Sequence, residues 1–456
     1  MLGACIGLVV TVVVAWMIVK KYKAQAVLIL GGIVLMACAV MFGIKPNLLS
    51  AKTTTGFVWF DIFEFLKITF SSRAAGLGLI IMAVAGFAKY MDRIGASEAL
   101  VRLAIKPLSL FHAPYLVLAL GFLLGQVLHV FIPSASGLGL LLMVTMFPIL
   151  VKLGVSRLSA TAMIGTTSCL DLGPGSGNSA LAAKTANLEV VVYFVKYQIP
   201  SAVFILLCVA VAHYFVQKWF DKREGHVVQP LDKVEMANEA EASQVPMIYV
   251  LLPIIPLVLI LVFSDLLVTT IKMDVITAMF IGIFVSMVFE YVRYRDARKV
   301  LSSIQVFFDG MGVQFATVVT LIVAGEAFAK GLVSIGAIDF LIDSAQGAGL
   351  GVIPMVVVMT AIISVSAVVM GSGNAPFFAF SSLAPTVASK LGAETLLLVL
   401  PMQFASSMAR SISPITAVIV AVSGVANVNP VDVVKRTAIP MVVGLVATVV
   451  ANFTLF

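Results

Sequence analysis

Phe87-Ala88-Lys89, with Ile94-Gly95-Ala96 just behind it, is written again further along as Phe328-Ala329-Lys330 with Ile335-Gly336-Ala337. Pro133-Ser134 followed by Leu153-Gly154 recurs in the same way as Gly371-Ser372 followed by Leu391-Gly392. The first pair is offset by 241 positions and the second by 238, so one short insertion or deletion separates two copies of one unit. The chain around this repeat is 61% hydrophobic, with a mean hydropathy of +1.12. Soluble domains run at about 45–50% apolar, so a soluble globular protein is excluded. Runs of about 20 apolar residues recur, each long enough to cross a bilayer as a helix. A duplicated half in so apolar a chain marks a secondary transporter, with its site where the halves meet.

Ten crossing helices are expected at 2–20, 24–43, 74–92, 157–187, 197–218, 247–264, 272–292, 308–330, 395–424 and 436–455. Two further segments, 113–152 and 352–391, are broken midway by Ile132-Pro133-Ser134-Ala135-Ser136-Gly137 and by Gly371-Ser372-Gly373-Asn374-Ala375-Pro376. Each reads as a re-entrant hairpin rather than two crossings. The breaks carry no charge, and their small polar residues can cap helix ends inside a membrane. Each half then has five crossings, and an odd number forces the halves to insert with opposite orientation. The expected fold is an all-α polytopic membrane protein of two inverted repeats, each with a re-entrant hairpin and a broken helix. The first repeat is 1–217, a cytoplasmic linker 218–246, and the second repeat 247–456.

Charge supports that orientation. One side holds Lys20, Lys21 and Lys23; Lys89, Arg93, Arg102, Lys106, Lys152 and Arg157; Arg293, Arg295, Arg298 and Lys299; Lys435 and Arg436. The other holds about half as many, including Lys45, Lys52, Lys272 and Lys390. The net charge of +7 is therefore orientation information and not a nucleic-acid surface. The linker, with Lys222, Arg223, Asp232, Lys233, Glu235, Glu239 and Glu241, reads as a solvated tether. Cys5, Cys38, Cys169 and Cys208 lie in apolar segments without metal spacing and read as reduced packing residues. Leu2-Gly3-Ala4-Cys5 resembles a lipoprotein cleavage box, but no charged or apolar stretch precedes it, so the first span is expected to be retained.

Two crossings are interrupted by residues that a plain membrane helix does not need. They are Asp171-Leu172-Gly173-Pro174-Gly175-Ser176-Gly177-Asn178 and Arg410-Ser411-Ile412-Ser413-Pro414-Ile415-Thr416. The 238 offset carries Ser176 onto Pro414, so the breaks are repeat partners. Helix restarts are expected after Ser136, Asn374, Ser413 and either Ser176 or Asn178, with Pro376 and Pro414 at first helical positions. Restarts present free N–H groups and partial positive charge, which favours anions without burying a formal charge. The candidate substrate-binding residues are Ser134, Ser136, Ser176, Asn178, Ser372, Asn374, Arg410, Ser411, Ser413 and Thr416. Arg410 stands out as a basic residue deep in a span, with a fork that suits one carboxylate. It either contacts substrate or pairs with Asp171, and the two roles can alternate. Asp171 either carries a coupling proton or neutralises Arg410. Glu326 is expected to pair with Lys330 one turn on. His129, near the first tip, reads as a packed neutral side chain, with a proton carrier as the alternative.

At these residues the chain resembles the DcuC family of anaerobic C4-dicarboxylate carriers, within the ion transporter superfamily. The resemblance covers nearly the whole length. It is carried by Gly173-Pro174-Gly175-Ser176-Gly177-Asn178-Ser179-Ala180, Met370-Gly371-Ser372-Gly373-Asn374-Ala375-Pro376 and Met408-Ala409-Arg410-Ser411-Ile412-Ser413-Pro414. It implies efflux or exchange of fumarate, succinate and similar diacids across a bacterial inner membrane. It also implies a homodimer, with an elevator domain made of both hairpins and both broken helices. Related sodium-coupled carriers show Ser-Asn-Thr at each hairpin tip, where this chain has Ser134-Ala135-Ser136 and Ser372-Gly373-Asn374. That departure favours protons or obligate exchange over sodium. The competing readings are a same-fold carrier for an amino acid or aminobenzoyl-glutamate, an ion channel, and an intramembrane enzyme. The sequence has no His-Glu-x-x-His zinc pattern, and no cofactor or metal is expected.

Overall fold

A computed structural model describes residues 2–45, 47–226, 245–347 and 351–456. All regular structure among them is helical. Eight helices there are long and apolar enough to cross a membrane, and shorter apolar helices such as Met247–Val262 and Ala417–Ala426 complete the spans. Their outer faces carry large apolar side chains, as on Val190–Arg223, where Val203, Leu207, Val211 and Phe215 are exposed. Lipid, not water, suits such a surface.

The repeat is written into the backbone. A π-type turn at Ala74–Gly78 has its partner at Phe315–Val319, at the 241 offset of the first sequence pair. Gly95 and Gly336 share the left-handed conformation (φ 78° and 75°), as do Gly154 and Gly392 (98° and 65°). Asn187 and Asn427, each just past a half-helix, match at 55° and 53°. Asn tolerates that region better than most residues with a Cβ.

The hairpins are re-entrant. The first descends through Pro114–Phe131, turns at 132–134 and returns through Ala135–Thr145 and Phe147–Lys152. The second descends through Val352–Met370 and returns through Asn374–Phe380 and Ala384–Leu391. Both tips end against the broken helices. His129 reaches Asp171, and Asn178 donates to Asn374 across 196 positions. The first broken helix is Arg157–Thr166, a ten-residue break, then Gly177–Thr185. The second is Thr395–Arg410, a shorter break, then Ala417–Ala426.

The helices sort into two packed groups. Ala24–Met41 lies along Thr320–Ser334 so closely that a Cβ on Gly32 would sit 2.5 Å from the Ala327 carbonyl oxygen. With the helices Leu2–Val19, Val58–Arg93, Ile255–Val262 and Val275–Tyr294 they form one group. The hairpins, the broken helices, Val190–Arg223 and Pro430–Leu455 form the other.

Several expectations need correction. The third crossing is not confined to 74–92 but runs Val58–Arg93; Asp61, Glu64, Lys67 and Arg73 hid its first half. The span expected at 308–330 runs Ala297–Ser334. The first repeat does not end at 217, because its last helix continues through Arg223. Asp221 is buried against Arg436, so this part of the expected tether is packed structure. Most of the expected tether, with Asp232, Lys233, Glu235, Glu239 and Glu241, lies outside the described residues. Glu326 does not pair with Lys330; Arg73 takes it at 2.6 Å.

Candidate functional site

Asp171 sits at the centre of the first break. Its carboxylate is buried, and four side chains surround it. Arg410 Nη2 stands 3.0 Å from Oδ1 and His129 Nε2 3.1 Å from the same oxygen. Asn178 Nδ2 and the Ser407 hydroxyl each donate to Oδ2 at 2.6 Å. A carboxylate has about four acceptor positions, and all four are used. An ion pair this deep costs desolvation on both partners and holds only with such satisfaction.

The break is held open by a second polar group. Gln403 donates to the Asp171 carbonyl at 2.7 Å and accepts from the Tyr193 hydroxyl at 2.6 Å. Gln198 Oε1 accepts from the Gly173 N–H at 3.1 Å, while its amide donates to Ser179 and Gln403. Gly173 has φ +86°, which a residue with a Cβ adopts only at a cost of about 1–2 kcal/mol. These partners replace the helical hydrogen bonds that the unwound backbone gives up.

A cleft of about 610 Å³, part of it open to solvent, lies between the two groups of helices. His129, Pro133, Ala135, Asp171, Gly175, Ser176, Gly177, Asn178, Asn374 and Arg410 line it from one group. Ile81, Val84, Ala85, Gln314 and Val318 line it from the other. The first residues of three half-helices, Ala135, Gly177 and Asn374, therefore face one space; the fourth, Ala417, does not. Ser176 lines the cleft and caps its helix by accepting from the Ser179 N–H.

Of the sequence candidates, Ser176, Asn178, Asn374, Arg410 and Asp171 meet at this cleft. Ser134 stands beside it as the N-cap of Ala135–Thr145, accepting from the Gly137 N–H at 3.2 Å. Ser136 and Ser372 are half-buried at the two tips. Ser411, Ser413 and Thr416 are buried outside the lining; Thr416 donates to the Arg410 carbonyl at 2.5 Å, fixing the break that presents the guanidinium. The restarts also differ from expectation. Ser134, not Ser136, caps the first hairpin restart, and Asn374 is itself the first helical residue, after Gly373. Thr416 rather than Ser413 precedes the last restart, so Pro414 lies within the break and Pro376 is third in its helix.

Sequence reasoning passed over Ser407, Gln403, Gln198 and Tyr193. The available signal was their polarity inside apolar spans, which the abundance of small polar residues obscured. Among the described residues no cluster of three His, Cys, Asp or Glu could hold a metal ion.

Comparison with known proteins agrees with this architecture. The family model described as C4-dicarboxylate anaerobic carrier, DcuC, matches residues 2–456. The chain is 36% identical over 456 residues to a probable anaerobic C4-dicarboxylate transporter DcuC of Vibrio cholerae, covering 100% of this chain and 98% of that one. It is 37% identical over 447 residues to the anaerobic C4-dicarboxylate transporter DcuC of Escherichia coli (strain K12), covering 98% and 95%. The crystal structure of the Alcanivorax borkumensis YdaH transporter superposes with a TM-score of 0.58 at 15% identity, covering 94% of this chain and 97% of that one. That likeness shows a shared fold. The family's members are multi-pass carriers of the bacterial inner membrane, not enzymes. Full-length agreement in sequence, together with mirrored halves closing on one arginine-bearing cleft, makes this chain a member of the DcuC family of anaerobic C4-dicarboxylate carriers.

Proposed function

We propose that the protein moves succinate, fumarate, malate and similar dianions by efflux or exchange. In this reading the group of hairpins and broken helices travels as an elevator against the other, within a homodimer. One observation carries the proposal. Arg410 spends only Nη2, on Asp171 and on the Ser168 carbonyl at 3.0 Å, while its Nε is buried without a partner. The guanidinium therefore keeps unspent donors, beside a cleft with the N-termini of half-helices along its wall. A substrate carboxylate supplies the missing acceptor, and the half-helix ends add positive potential for the second. Protons are the proposed coupling ion where transport is not obligate exchange.

Counterflow in proteoliposomes tests this. Labelled succinate should accumulate against internal succinate, and excess fumarate or malate should abolish the signal. If neither competes, and an amino acid or aminobenzoyl-glutamate does, the protein carries another carboxylate on the same fold.

A further inference from the structure

His129 lies one turn before the first hairpin tip, nearly fully buried, with each ring nitrogen facing an oxygen. Nδ1 is 3.1 Å from the Ile132 carbonyl and Nε2 is 3.1 Å from Asp171 Oδ1. A carbonyl only accepts, so Nδ1 must carry hydrogen. Asp171 already accepts from Arg410, Asn178 and Ser407, so its oxygens face donors as a carboxylate's do. A neutral ring protonated on Nδ1 would aim the Nε2 lone pair at that carboxylate. The arrangement is satisfied when the pair holds one further proton, on Nε2.

We propose that His129 and Asp171 together form the binding site of a coupling proton, and that substrate on Arg410 and this proton bind cooperatively. The inference rests on the dicarboxylate reading given above. Arg410 and His129 share a single oxygen, Oδ1. A dianion that engages the guanidinium draws it from Oδ1 and adds negative charge nearby, and both changes strengthen proton binding. Linkage makes the effect mutual, so protonation strengthens dianion binding equally. The nearest other carboxylate on the opposite group is Asp92, whose Oδ2 lies 3.6 Å from the position of a Cβ on Gly137 at the first hairpin tip. Arg410 faces the pair from Thr395–Arg410, and the Cys169 thiol lies in the same break as Asp171, within 3.4 Å of Gln126. The opposite wall of the cleft is lined by the uncharged Ile81, Val84, Ala85, Gln314 and Val318.

The test is the Kd of labelled fumarate on the purified full-length protein, by scintillation proximity, from about pH 6 to pH 9. The expected Kd rises on the alkaline side, approaching roughly tenfold per pH unit where one proton is required. His129→Gln should flatten the profile, even if binding weakens. In unbuffered wild-type protein with a pH dye, adding fumarate at the alkaline end should take up a proton. This second readout decides the matter if the variant does not fold. A flat wild-type profile without proton uptake overturns the inference and leaves the dicarboxylate reading standing, as does an unaltered slope in His129→Gln. Failure of any dicarboxylate to bind at any pH removes that reading, and the inference with it.

Discussion

At the scale of single residues, two buried arginines do different work. Arg410 faces the cleft with part of its fork unspent. Arg436 is 2% exposed and paired with two carboxylates: its Nη1 meets Asp221 at 2.5 Å and its Nη2 meets Glu224 at 2.5 Å. Around them Tyr115, Ser156 and Ser159 also donate to Asp221. This cluster fastens the first hairpin, the first broken helix and the last helices of both repeats at one end. Arg410→Ala should reduce transport by at least about 100-fold, since losing a desolvated, hydrogen-bonded charge typically costs 2–5 kcal/mol. Arg410→Lys should recover little, because a point charge cannot grip two oxygens at once. Rates in proteoliposomes, checked against gel-filtration behaviour, measure both. Arg436→Ala should instead destabilise by about 3–5 kcal/mol, leaving Asp221 buried and uncompensated. Adding Asp221→Leu should restore part of the loss, read as a double-mutant cycle in thermal midpoint. Arg410 was legible in the sequence because apolar residues flank it on a long span. Arg436 was not: it follows Lys435 near a helix start and reads as a loop charge. Its partner Asp221 stands 215 positions away, in a stretch that reads as tether.

At the scale of elements, the hairpins and broken helices were visible in advance because Gly, Pro and Ser interrupt otherwise unbroken apolar runs. The two repeat-related π-type turns were invisible. Nothing in the composition of Ala74–Gly78 or Phe315–Val319 announces them, and only their repeat relation marks them as part of the design. The helix Val58–Arg93 was truncated in the sequence reading because Glu64 and Lys67 offset one another on its surface at 2.6 Å, which hydropathy alone does not register. Capping positions slipped by one to three residues, since each break holds several small polar residues and only the tertiary fold selects one. The tip of the second hairpin offers a direct test. A Cβ on Gly373 would stand 2.3 Å from the Ser406 carbonyl oxygen and 3.3 Å from the Ser407 nitrogen. Gly373→Ala must push the tip away from the helix that carries Ser407 and Arg410. Transport should fall by at least tenfold, while stability changes by about 1–3 kcal/mol. Unchanged uptake would show that the tip does not shape the site.

At the scale of the whole molecule, the two packed groups meet at the cleft, and a separate ion pair joins the second hairpin to the helix Ala337–Gly347. Lys390, on the return arm of the second hairpin, pairs with Asp339 on Ala337–Gly347. At the 238 and 241 offsets these residues correspond to Lys152 and Glu98. Glu98 instead pairs within its own helix with Arg102, at 2.5 Å. The pseudosymmetric contact is thus made in one repeat and not in the other among the described residues, the asymmetry that the proposed elevator movement calls for. Cysteines at 339 and 390, in a protein lacking the four native thiols, should block counterflow when joined by a short reducible bifunctional thiol reagent, with activity returning on reduction. Full activity in the cross-linked protein would contradict relative motion of the two groups.

The most direct test of the whole account is a density map of the protein with succinate bound. Ligand density should lie in the cleft between the hairpin tips, one carboxylate on the unspent donors of Arg410 and the other toward Ser176 and Asn374. Ligand found elsewhere, with the guanidinium still turned only to Asp171 and Ser168, would contradict it.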